Sequence, residues 1–83
     1  MLTLDKLEIG RAAIIIGIKG KSAIRRRLLD MGFTPGTEVV ARKTAPLGDP
    51  VELCLRGYEI AIRRADAKNI EVRECSSKIA GDL

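Results

Sequence analysis

Histidine and tryptophan are missing from this chain, and Phe33 and Tyr58 are its only aromatic residues. Without imidazole, the commonest general base and the commonest transition-metal ligand are both lost. So few rings leave no platform on which bases can stack and no ring-lined groove for a proline-rich peptide. The two cysteines, Cys54 and Cys75, lie far apart and form no Cys-x-x-Cys pair. No preformed metal site can be argued from them, and two free thiols in a reducing compartment are expected. The longest apolar run, Ala12 to Ile18, is bounded by Arg11 and Lys19 and falls far short of the roughly 20 residues that cross a bilayer. Asp5 and Glu8 stand where a secretory signal carries bases, so cytoplasmic residence is expected.

What the chain does have is aliphatic. With 83 residues and 46% hydrophobic content it has room for one small domain, whose core must be built from Ile, Leu and Val. The domain is expected over residues 1–75, with a frayed polar tail over 76–83. The net charge of +4 comes from 15 bases and 11 acids scattered among one another, so neither half is strongly polarised.

Along the chain, Leu2 to Leu7 read as a lead-in, with Leu4 and Leu7 packing beneath the domain. Arg11 to Ile18 is rich in β-branched residues and reads as a strand on which Ile14, Ile16 and Ile18 share a face. Gly20 breaks it. Ser22 then reads as the cap of a short helix whose Ile24, Leu28 and Met31 fall on one side, and Gly32 as its left-handed stop. Thr34-Pro35-Gly36 is a turn. A meander follows: a strand from Glu38 to Thr44, the loop Ala45 to Pro50, then Val51, Leu53 and Leu55 alternating with polar residues. A tight turn at Gly57 leads to Tyr58, Ile60 and Ile62 on one face. Ala65 to Asn69 gives one helical turn before a last strand at Ile70 to Val72. Five short strands and one short α-helix after the first strand make a mainly β fold, a small, partly open barrel of SH3-like type.

Three chemical readings compete with that plain one. The stretch Gly17 to Ser22 has the strand, glycine, lysine and serine of a phosphate loop, but it is two residues too short to wrap a phosphate. Gly20 as a turn and Ser22 as a cap account for it. The triplet Arg25-Arg26-Arg27 fans over about 200° of a helix, which is no flat basic stripe for nucleic acid, and Arg26 is placed to meet Asp30. Catalysis has no support: Cys54 and Ser22 lack a histidine base, and Asp49 and Glu52 lack any deducible pocket. No cofactor and no metal ligand set is expected, and the chain is not expected to be an enzyme.

The order RRRLLDMGFTPGTEV, APLGDPVEL, LRGYEIAIRR and DAKNIEV resembles the FeoA family of ferrous iron transport accessory proteins, from about Leu2 to Val72. The resemblance implies an SH3-like domain that serves FeoB, a membrane protein with a cytosolic GTPase domain, in bacterial Fe(II) uptake. It extends to the C-terminal SH3-like domain of metal-dependent transcriptional repressors. With no helix-turn-helix ahead of the domain, the free-standing accessory protein is the expectation. Contact with the partner is expected through apolar residues that are hard to explain as core, Leu29, Phe33, Pro35, Pro46 and Leu47, beside Arg25 and Arg26. Two alternatives remain: a basic barrel that binds nucleic acid, favoured slightly by the basic pI, and the SH3-like module of a repressor system. An exposed strand edge also allows weak homo-oligomers.

Overall fold

The computed structural model describes residues 2–75; the tail expected over 76–83 lies outside the described residues. The elements run β1 (Leu2–Thr3), a 3-10 turn (Leu4–Lys6), β2 (Ala12–Ile18), α1 (Ser22–Asp30), β3 (Glu38–Thr44), β4 (Val51–Leu55), β5 (Tyr58–Ile62), α2 (Arg64–Ala67) and β6 (Ile70–Glu74). The strands form one antiparallel sheet in the order β1-β6-β2-β3-β4-β5, with β1 and β5 as its unjoined edges. It has the SH3-like form, curled but not closed. The sequence reads as five strands, and the sixth is β1, which pairs Leu2 with Val72 and Thr3 with Glu71. Two residues are too few to show an alternation, so only the tertiary partner reveals this strand.

The meander forms as its pattern requires. Val51, Leu53 and Leu55 are buried, and between Leu55 and Tyr58 a two-residue turn has positive φ at both Arg56 (53°) and Gly57 (88°). That is the hairpin turn whose twist matches the flanking strands, and glycine makes its second position strain-free. β2 departs from expectation. Ala12, Ala13 and Ile15 are its buried residues, and Ile16 is 53% exposed. The pairing with β6 slips between Ile15 and Gly17, so a bulge breaks the alternation that Ile14, Ile16 and Ile18 suggest.

Helix α1 begins one residue away from the expected cap. Lys21 occupies the cap position without a side-chain bond, and Ser22 is already helical. At the other end the Gly32 amide donates to Leu29 and the Phe33 amide to Leu28 (3.0 and 3.1 Å), with Gly32 at φ 111°. These two bonds are those of a Schellman stop, and its usual apolar contact is present: Phe33 folds back so that it and Leu28 are both fully buried. The core also takes Leu4, Val39, Leu53, Leu55, Ile70 and Val72 from along the described residues. No helix among the described residues is long and apolar enough to cross a membrane.

Candidate functional site

The residues expected at a contact surface come from several elements, and Pro35, Pro46 and Leu47 do not line the hollows beside Arg25, Arg26 and Leu29. Phe33 is withdrawn from the surface altogether: at 0% exposure it is the largest fully buried side chain, a correction that the Schellman stop explains. The others divide between the outer face of α1, the turn after it, and the tip of the β3–β4 loop.

On α1, Arg25 and Arg26 are exposed and Leu29 is half-buried. With Ser22 and Asp30 they line a shallow depression of about 330 Å³. A second hollow of about 520 Å³ adjoins it along Ala23 and Arg27. The fan of the arginine triplet sends its third member elsewhere, to α2, where Arg27 Nη2 meets Asp66 Oδ2 at 2.8 Å. The expected Arg26–Asp30 pair is replaced by this one, so the helix is fixed by a tertiary contact and not by a pair along its own surface. Among the described residues Arg25 and Arg26 have no ion-pair partner. The face therefore offers free cations flanking an apolar side chain.

Pro35 is exposed in a turn that is itself anchored. Arg56 Nη2 donates to both Thr34 Oγ1 (2.9 Å) and Thr37 Oγ1 (3.0 Å), which lie 2.8 Å from each other. This clamp between the α1–β3 turn and the β4–β5 hairpin was not legible in the sequence, since its members are about 20 positions apart. Near it, Tyr58 Oη donates to the Met31 carbonyl at 3.0 Å, tying β5 to the end of α1.

Leu47 projects from the loop between β3 and β4 with 96% of its surface exposed, next to an exposed Pro46. The loop is closed by bonds from the Gly48 amide to Ala45 (2.7 Å) and from the Ala45 amide to Pro50 (3.0 Å). Arg64, half-buried on α2, grips it from behind. Its Nε donates to the Gly48 carbonyl at 2.9 Å, its Nη1 to the Asp5 carbonyl at 2.7 Å, and its amide to Asp49 Oδ1 at 2.9 Å. Sequence reading passes over Arg64, because an arginine among charged neighbours looks solvated until Asp5 and the β3–β4 loop are brought to it. The same contacts give Asp49 a structural partner. Glu52, the other carboxylate considered for chemistry, pairs with Lys43 at 3.8 Å.

The glycine-lysine-serine stretch packs against the turn before β6. The Lys19 amide donates to the Asn69 carbonyl at 2.6 Å, Lys19 Nζ meets Glu71 at 2.9 Å, and a Cβ on Gly20 would stand 3.3 Å from Asn69 Oδ1. Among the described residues no group of three or more His, Cys, Asp or Glu side chains converges.

A curled, open antiparallel sheet with a short helix and a latched loop defines the class of small SH3-like domains. Residues 2–74 match the family model described as the FeoA domain, and the chain belongs to that family. It is 38% identical over 76 residues to the Fe(2+) transport protein A/Fe(2+) transporter FeoB fusion protein of Porphyromonas gingivalis (strain ATCC BAA-308 / W83). The match takes in 92% of this chain but only 9% of that protein's length. Among solved structures, a FeoA-like protein from Clostridium acetobutylicum is 41% identical with a TM-score of 0.82, over 88% of this chain and 85% of that one. FeoA of Stenotrophomonas maltophilia, solved with zinc and described as a prokaryotic SH3 domain protein, is 29% identical with a TM-score of 0.75, over 87% and 89%. The fold extends to IdeR of T. acidophilum, at 23% identity and a TM-score of 0.77, over 89% of this chain and 34% of that one, a likeness of fold alone.

Proposed function

We propose that this chain is a cytoplasmic accessory protein of bacterial ferrous iron uptake that works by docking on a FeoB-type transporter. One observation carries the reading: in Porphyromonas gingivalis a domain 38% identical to this chain is part of the same polypeptide as the Fe(2+) transporter FeoB. Fusion through a short linker holds two units at an effective concentration on the order of millimolar, which favours contact between them.

The docking face is the outer side of α1. Arg25 and Arg26 supply charge without internal partners, and Leu29 supplies an apolar centre between them. Pro35, Pro46 and Leu47 lie outside this depression and extend the contact. An accessory protein alters its partner only by binding two of the partner's states unequally, and a tenfold preference corresponds to about 1.4 kcal/mol of coupling. The domain acts in this way on FeoB, shifting its conformational balance and with it nucleotide turnover or gating.

The test is binding to purified FeoB together with GTP hydrolysis measured with and without this chain. Leu29→Asp is expected to keep its circular dichroism spectrum and weaken binding by about tenfold or more. Arg25→Ala and Arg26→Ala are expected to lower turnover only severalfold, in step with affinity. A loss of about 10³-fold from either one alone would instead mark an arginine finger. Undiminished binding by a folded Leu29→Asp protein rules out the α1 face.

A further inference from the structure

We infer that Leu47 is a second, separate anchor, a rigid apolar knob that enters an acid-rimmed socket on the transporter, and that Arg64 is the residue that positions it. The inference rests on the docking reading above and adds a site and a socket chemistry to it.

Three observations carry it. First, no other large apolar side chain in the described chain is as exposed: Ile9, Ile16 and Tyr58 are near half, whereas Leu47 is 96% exposed. Second, the loop under it is held fast. The two backbone bonds within the loop and the three from Arg64 tie the loop to α2 and to the 3-10 turn, over 16 and 59 positions of sequence. A loop backbone fixed in advance loses little freedom on binding, which favours a preformed protein socket; a fluid lipid surface makes no such demand for shape. Third, the elements that Arg64 gathers bring exposed cations to this end of the barrel. Lys6 follows Asp5 on the 3-10 turn, Arg63 precedes Arg64, and Lys68 closes α2, all exposed and, among the described residues, without ion-pair partners. Asp49 and Asp5 keep their negative charge while accepting from the Arg64 amide and Thr3 Oγ1, and the four cations Lys6, Arg63, Arg64 and Lys68 outnumber them. A rim of carboxylates on the partner complements this arrangement and speeds encounter.

Among the described residues the guanidinium of Arg64 hydrogen-bonds to backbone carbonyls alone, so its role is positioning. It donates along two directions at once, to Gly48 and to Asp5, a fork that lysine cannot reproduce.

The experiment measures affinity for detergent-solubilised FeoB and, separately, for vesicles containing one third anionic lipid. Leu47→Asp is expected to bind FeoB about thirtyfold more weakly, the loss that defines a hot spot, while Leu47→Met stays close to the original. Arg64→Gln is expected to weaken binding in the original chain but to add almost nothing on top of Leu47→Ala. A merely destabilising Arg64 change would cost the same in both backgrounds. Charge reversal at Lys68 is expected to slow association more than it hastens dissociation. If Leu47→Asp binds FeoB as tightly as the original chain, the knob is excluded and docking through α1 stands. Sensitivity to Leu47 that appears on vesicles alone transfers the surface to lipid and overturns the inference. Absence of binding by the unaltered chain overturns both readings together.

Discussion

Gly32 shows how one residue sets the end of a helix and the start of a core. Its φ of 111° lets the Phe33 amide return to Leu28, and a Cβ there would come within 3.1 Å of both Leu55 Cδ2 and Tyr58 Oη. Gly32→Ala combines left-handed strain with that crowding and is expected to cost about 1–3 kcal/mol. In a domain of this size the melting temperature then falls by roughly 4–8 °C per kcal/mol. Gly17→Ala is the control: Gly17 has no positive φ, and its added Cβ would meet nothing within 4 Å, so its melting temperature should hardly move. Equal destabilisation by both would mean that the stop at Gly32 is not what fixes Phe33. The same bond pattern explains why Phe33 belongs to the core and not to a contact surface. The signal was present in the sequence as an apolar residue directly after the glycine stop. Leu47 and Pro46, by contrast, are as exposed as a turn-rich loop suggests.

Among the elements, α1 is held by two contacts of very different weight. Leu28 is fully buried, whereas the Arg27–Asp66 pair joins side chains that are 58% and 22% exposed. Leu28→Ala should cost about 2–5 kcal/mol and Arg27→Ala less than about 1 kcal/mol, because a partly solvated ion pair gains little over hydration. Urea unfolding of the two variants measures the difference, and a larger loss from Arg27 would contradict this ranking. Helix α1, the meander and the last strand were legible because periodicity and turn residues agreed in each. The β1 strand, the bulge at Ile16 and the Ser22 cap were misread or missed for one reason: each depends on pairing or cap geometry that short sequence windows do not contain.

For the whole molecule, the curl of the sheet decides what distant residues can do together. The Cys75 amide donates to Ala12, Ala12 pairs with Val40, and Val40 pairs with Cys54. The two cysteines thus stand three strand spacings apart, roughly 14 Å measured along the curled sheet, and Cys54 lies on the face opposite the buried Leu53 and Leu55, so the inside of the curl offers no shorter route. A disulfide needs Cα atoms within about 7 Å, so mild oxidation of the dilute protein should leave two titratable thiols and no internal crosslink. A monomeric oxidised form lacking free thiols would contradict the strand order.

Composition and periodicity by themselves determined an aliphatic one-domain β fold with one amphipathic helix, and motif order determined the FeoA resemblance, because those properties are carried by neighbours a few positions apart. The tertiary structure alone decided the distribution of the expected surface over a helix face and a loop tip, and the grip of Arg64 on Gly48 and Asp5. Those outcomes depend on the sheet curling until residues as much as 59 positions apart come into hydrogen-bonding distance, and no local pattern encodes that meeting.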